Sequence, residues 1–122
     1  MHKLKVIFKR IINYLHAAVP PLYLKIDQEH HYEVWAKNDN KETFFAKVVL
    51  NESSADLAFY KDLTREEEWL MFPGDIFKRM ENTFECHISD LSPELEDNIK
   101  EVIDNLLQYF VDNKLLPPPE KF

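Results

Sequence analysis

The sequence contains one glycine, Gly74, and one cysteine, Cys86, in 122 residues. Dinucleotide-binding loops and P-loops need several glycines, because the backbone must approach phosphate groups closely, so both classes of site are excluded. The nucleophile elbow of serine hydrolases, G-x-S-x-G, is absent as well. Because a lone cysteine cannot form an internal disulfide, we expect a reducing compartment such as the cytoplasm.

Long apolar runs and an excess of positive charge are also missing. No apolar stretch approaches the roughly 20 residues that a membrane-spanning helix needs, so no membrane association is predicted. The formal net charge is −7, and since an acidic protein repels phosphate backbones, nucleic-acid binding is not expected. Residues 1–26 are an exception, with five basic residues and no acidic one. We expect this segment to dock against the acidic remainder of the chain.

Two amphipathic helices are predicted at the ends of a single domain over residues 1–116. The apolar residues of segment 4–15 recur with helical spacing, and this helix must end before Pro20. Ser92 followed by Pro93 is a strong helix start. The broad apolar stripe over 95–111 predicts the second helix, and a proline-rich tail follows over 117–122.

Between these helices the apolar residues alternate with polar ones, as in half-buried strands. The predicted strands lie near 22–26, 31–36, 44–50, 57–60 and 84–88. Asn38-Asp39-Asn40 predicts a hairpin turn, and the capping box that begins at Thr64 predicts short helices over 65–71 and 75–80. The fold class is therefore α+β, with both terminal helices on one face of an antiparallel sheet of about five strands.

Neither His87 nor the other candidate catalytic residues form a recognisable motif. Cys86 and His87 resemble a nucleophile and its base, but adjacent strand residues point to opposite faces, and a buried free cysteine behaves as a small hydrophobe. A sheet–loop pocket with His31 or His87 as general base has no supporting partner residues in the sequence. We therefore predict that the protein is not an enzyme.

Two groups of residues invite a metal hypothesis. If His30 and His31 lie on a strand, their side chains point to opposite faces and cannot share one metal ion. If they lie in a turn, one of them can approach Asp27 and Glu29 to form a metal site. Asp97 and Glu101 share one helix face, and hard cations favour such carboxylates. The alternative for both groups is an ordinary solvated surface.

The predicted sheet face opposite the helices is rich in aromatic residues. A binding surface is predicted there, formed by Tyr23, Trp35, Phe45, Tyr60 and His87. A sheet face with several exposed rings often marks a ligand or partner surface. The alternative is that residues 62–80 fold over part of this face.

Several segments within residues 32–110 resemble the YdhG-like domains, a bacterial family of largely unknown function. The segments are FFAKVV at 44–49, LAFY at 57–60, FKRMENTFECHI at 77–88 and LSPEL at 91–95. The resemblance implies a compact α+β domain, sometimes compared with frataxin, and implies iron- or cluster-related binding. The first helix here is basic, whereas frataxin-like iron binding uses an acidic first helix, so no metal ligand is carried over.

The leading functional prediction is a non-enzymatic binding or interaction module that uses the aromatic outer sheet face. Its partner is an unknown protein or small molecule, and a homodimer is left open. The alternative is a weak iron or other metal carrier that uses acidic side chains such as Asp97 and Glu101.

Overall fold

Five antiparallel strands form one sheet in the order in which they follow along the chain. The computed structural model describes residues 2–80 and 85–117. The strands are β1 Tyr23–Gln28, β2 His31–Asn38, β3 Lys41–Leu50, β4 Ala55–Phe59 and β5 Glu85–Ile88. The helices are α1 His2–His16, α2 Arg65–Met71, α3 Gly74–Arg79 and α4 Pro93–Asp112. The predicted α+β fold, with a helix at each end and about five antiparallel strands, is confirmed.

Parts of two predicted segments lie outside the described residues. These are Phe84 of the predicted last strand and residues 118–122 of the predicted tail. Within the described ranges, no helix is both long enough and apolar enough to cross a membrane.

Three local signals in the sequence form as predicted. Asp39 adopts a positive φ of 57° in the two-residue turn between β2 and β3, a conformation that aspartate tolerates better than most residues. The Thr64 hydroxyl accepts from the backbone N–H of Glu67, whose side chain accepts from the Thr64 N–H. The Ser92 hydroxyl accepts from the Leu95 N–H at 3.1 Å. Each cap satisfies backbone donors that a helix leaves unpaired at its start.

Helices α1 and α4 cover one face of the sheet, which we call the inner face. The buried residues that meet there include Ile11 and Leu15 of α1, Val34, Val48 and Leu57 of the sheet, and Ile99, Leu106 and Phe110 of α4. Burial of each such side chain contributes about 1.5–3 kcal/mol. This apolar layer therefore dominates the stability of the fold.

The basic first helix is joined to acidic residues elsewhere in the chain, as its charge predicts. Lys3 Nζ lies 3.3 Å from Asp90 Oδ1, and an Arg10 guanidinium nitrogen lies 3.0 Å from Glu96 Oε1. Exposed ion pairs contribute only about 0.2–1 kcal/mol each. They orient α1 on a surface that is held mainly by apolar contact.

A β-bulge in β3 overturns the prediction that Phe45 faces outward. Val34 pairs with Ala46, and the next residue of β2, Trp35, pairs with Phe44, so Phe45 is an extra residue without a partner in β2. A bulge interrupts the alternation of side chains. Phe45 consequently points inward, is fully buried, and packs edge-on against Phe110 at 5.0 Å between ring centroids.

The prediction that Tyr60 faces outward is wrong as well. Tyr60 follows the last residue of β4, and its N–H donates to the Phe45 carbonyl at 2.9 Å. Its ring lies 5.0 Å from the ring of Phe110 and 6.1 Å from that of Tyr109. Tyr60 therefore belongs to the contact between the sheet and α4.

The bulge predicts losses of stability of different size for two adjacent phenylalanines. Phe45→Ala removes a fully buried ring and should lower the free energy of unfolding by about 3–5 kcal/mol. Phe44→Ala removes a half-exposed ring whose main aromatic contact is with Trp35, and should cost about 1 kcal/mol. Urea denaturation of both variants measures the difference. Equal losses would contradict the register of β3.

Candidate functional site on the outer face of the sheet

The sheet face opposite α1 and α4, which we call the outer face, is not covered by residues 62–80. That segment packs against α4 instead, where the Asn105 side-chain amide donates to the Met71 carbonyl at 3.1 Å. Phe72 contacts the inner-face residue Phe59 at 5.8 Å between ring centroids, and Ile76 is fully buried in the core. Residues 62–80 therefore leave the outer face open to ligands.

An aromatic cluster occupies one end of the outer face. The rings of Trp35 and Phe44 meet edge-on at 5.9 Å, and the Lys25 ammonium lies 4.9 Å from the centre of the Trp35 ring. Glu42 accepts from the Tyr23 hydroxyl and lies 3.1 Å from Lys25 Nζ. Tyr23 and Trp35 thus lie on the outer face, as predicted. Because of the bulge, Phe44 lies there instead of Phe45.

A concavity of about 420 Å³ lies in the middle of the outer face. It is lined by Glu33, Phe44, Lys47, Ala58, Phe59, Lys61 and Glu85. Cross-strand pairing places four of these residues in one row over β2 to β5, in the order Glu33, Lys47, Ala58 and Glu85. Because Ala58 has the shortest side chain of the row, the surface is lowest there. We call this feature the outer concavity.

Among the charged side chains around the outer concavity, Glu33 has hydrogen-bond partners, whereas the lysines form no ion pair with the described residues. Glu33 accepts from the Trp35 indole N–H and lies 3.0 Å from His31 Nε2. Within the described part of the chain, neither Lys47 nor Lys61 forms an ion pair. The lining of the outer concavity therefore includes two lysines that form no ion pair with any described carboxylate, although Glu33 and Glu85 line it as well.

Asp56, Glu85 and His87 form a carboxylate–histidine cluster beside the outer concavity. Asp56 and His87 are direct partners on β4 and β5, and Asp56 Oδ1 lies 2.6 Å from His87 Nδ1. Glu85 Oε1 lies 3.6 Å from His87 Nε2. In residues 2–80 and 85–117, this is the only group of three or more acidic, histidine or cysteine residues whose donor atoms converge closely enough for one metal ion.

Hydrogen bonds hold the Asp56 carboxylate in place and keep it ionised. Burial on its own raises the pKa of Asp56, but hydrogen bonds from Ser54, His87 and Asn51 outweigh burial and hold that pKa below its ordinary value. The Ser54 hydroxyl donates to Oδ1 at 2.6 Å, and the Asn51 amide donates to Oδ2. Asp56 is thus a fixed negative charge at neutral pH.

The remaining candidate residues do not come together. Cys86 is fully buried on the inner face, on the other side of β5 from His87. His30 lies in the turn between β1 and β2, where its Nε2 is 4.0 Å from Glu29 Oε1. Asp97 and Glu101 are exposed on α4, and no third metal-binding side chain among the described residues joins them.

Sequence reasoning missed three residues of the outer face for different reasons. Strict alternation with Phe45 outward places Phe44 inward, because alternation takes no account of a bulge. Lys61 lies in the loop after β4, where no periodic pattern exists. Asp56 is assigned outward by alternation, but its partner His87 becomes evident only from the register between β4 and β5.

Comparison with known protein families, curated proteins and solved structures finds no match for this chain. The resemblance to YdhG-like domains and the comparison with frataxin therefore stay predictions.

Proposed function

We propose that this protein is a non-enzymatic binding module whose outer concavity holds a small molecule with a carboxylate or phosphate group. The observation that carries the proposal is the pair of lysines, Lys47 and Lys61, that line an open concavity without a carboxylate partner in the described chain. A charge-assisted hydrogen bond from an ammonium group is about twice as strong as a neutral one. An anionic ligand would supply the missing partner.

The shape of the outer concavity supports a small ligand. Its volume of about 420 Å³ lies in the range of small-molecule sites, which is about 300–1,000 Å³. Phe44 offers an apolar wall for the body of the ligand, and Ala58 leaves room above the sheet. The net charge of −7 disfavours a long anionic polymer but not a small anion that contacts two lysines.

If the ligand is an anion, binding should depend on the charge of the ligand when its shape is kept the same. Phenylacetate and phenyl phosphate should raise the melting temperature, whereas neutral phenylacetamide should not, because only an anion pairs with the lysines. Lys47→Gln and Lys61→Gln should each weaken phenylacetate binding roughly tenfold, since a charge-assisted hydrogen bond contributes about 1.5–3 kcal/mol. Thermal shift followed by isothermal calorimetry measures both effects.

Lys78→Gln is the matched control, because Lys78 is an exposed lysine on α3, outside the set of residues that line the outer concavity. This variant should bind as the unmutated protein does. Equal binding of phenylacetamide, or equal losses in all three lysine variants, would count against the outer concavity as an anion site.

A second candidate function is the binding of a divalent transition-metal ion by Asp56, Glu85 and His87. It is favoured by the convergence of two carboxylates and one imidazole within 4.8 Å. Imidazole suits zinc, iron and nickel, and the hydrogen bonds from Ser54 and Asn51 orient the Asp56 carboxylate. Such outer contacts commonly strengthen metal sites. The predicted metal-carrier role would then belong to the sheet and not to the acids of α4.

Metal binding is tested by calorimetric titration with Zn²⁺ and, under anaerobic conditions, Fe²⁺. Glu85→Gln and His87→Gln should each weaken binding at least tenfold, because each removes one of three ligands. The double substitution Asp97→Asn/Glu101→Gln should leave the affinity unchanged. No binding heat in the unmutated protein, or a loss confined to the α4 double variant, would rule out this site.

A further inference from the structure

Two large apolar side chains project from the short helix α2. Trp69 is 69% exposed and Leu70 is 72% exposed, the highest values among the large hydrophobic residues of the described chain. The Trp69 ring contacts Phe77 at 5.3 Å between centroids. Exposed apolar surface of this kind commonly marks a protein interface. We call this pair the α2 knob.

Hydrogen bonds join α2, which carries the α2 knob, to α4. The Asn105 side-chain amide donates to the carbonyls of Leu70 and Met71, at 3.4 and 3.1 Å. The Tyr109 hydroxyl donates to Glu67 at 3.4 Å. The knob is therefore preorganised, which lowers the entropy lost on docking.

Negative charge surrounds the α2 knob. Glu66, Glu67 and Glu68 lie in the first turn of α2, directly before Trp69. Two knobs facing each other across a two-fold axis would bring six carboxylates together, and like charges in a contact oppose association. The partner surface must instead be apolar in the middle and basic at its edge.

One surface of this same chain has that character. A cleft of about 310 Å³ lies between α1 and the end of the sheet that carries the β1–β2 turn. Its lining consists of apolar Phe8, Ile12 and Leu50 together with Lys5, Lys9, Gln28, Glu29 and His30. We call it the α1 cleft.

The lysines of the α1 cleft are available for a partner. Lys5 and Lys9 are one helical turn apart and exposed, and within the described residues neither forms an ion pair, unlike Lys3 and Arg10 of the same helix. Glu29 also lies at the cleft, close to His30.

We propose that the protein associates head to tail, with the α2 knob of one copy in the α1 cleft of a second copy. The cleft has room for an indole ring, and the glutamates of α2 would meet Lys5 and Lys9. Because the knob and the cleft are different surfaces, the contact is heterologous, so the assembly either closes into a ring or leaves one knob and one cleft unused at its ends. The contact uses neither the outer concavity nor the carboxylate–histidine cluster, so it is independent of the proposed function.

The test uses two variants that each lose one half of the contact. Trp69→Ser removes the larger side chain of the knob, and Lys5→Glu/Lys9→Glu reverses the charge of the cleft. All three positions are exposed, so both variants should fold. Analytical ultracentrifugation at low ionic strength should show that the unmutated protein gains mass with concentration, while each variant alone stays monomeric. An equimolar mixture of the two variants should form a dimer, because one supplies the cleft and the other the knob.

A second readout follows the tryptophan directly. Trp35→Phe leaves Trp69 as the only tryptophan of the chain, and its emission should shift to the blue on association and return in high salt, which screens the lysine–glutamate contacts. Lys41→Glu, an exposed lysine at the β2–β3 hairpin, is the control and should associate normally. A monomeric unmutated protein, a mixture that remains monomeric, or association of Trp69→Ser alone would each overturn the proposal.

Discussion

One extra residue in β3 decides which aromatic rings enter the core and which reach the surface. The bulge turns Phe45 inward against Phe110, and the Phe45 carbonyl then accepts from Tyr60 at the end of β4. The same bulge turns Phe44 outward, where it meets Trp35. The packing of α4 and the aromatic end of the outer face therefore depend on a single irregularity in strand pairing.

The two faces of the sheet are stabilised by different forces. The inner face consists of apolar side chains shared with α1 and α4, and its contribution grows with the area removed from water. On the outer face, hydrogen bonds fix the carboxylates of Glu33 and Asp56. Lys47 and Lys61 have no such fixed partner among the described residues. The outer face therefore combines carboxylates held by hydrogen bonds with two lysines that form no ion pair with any described carboxylate.

Most of the fold could be predicted from local sequence, because its signals act over a few residues. The hydroxyl groups of Thr64 and Ser92 cap helices by accepting hydrogen bonds from backbone N–H groups three residues on, and Asp39 supports its turn by its own backbone preference. Alternation failed at Phe45, where the period of two is interrupted. It failed again at Tyr60, which lies beyond the end of its strand.

The candidate site was less accessible to prediction, because it depends on contacts between distant segments. Asp56 and His87 are 31 residues apart, and nothing in either segment specifies their pairing. The row that crosses the outer concavity draws one residue from each of four strands. Such a row exists only once strand order and register are both fixed, and these are tertiary properties.

Ala58 sets the depth of the outer concavity and takes no part in the apolar core. Its side chain forms the floor of the outer concavity, while its neighbours in β4, Leu57 and Phe59, point into the core. A larger residue at position 58 would fill the concavity without altering the inner layer, whereas glycine would deepen it. The depth of the outer concavity is therefore controlled at one position of β4 that does not contribute to the inner layer.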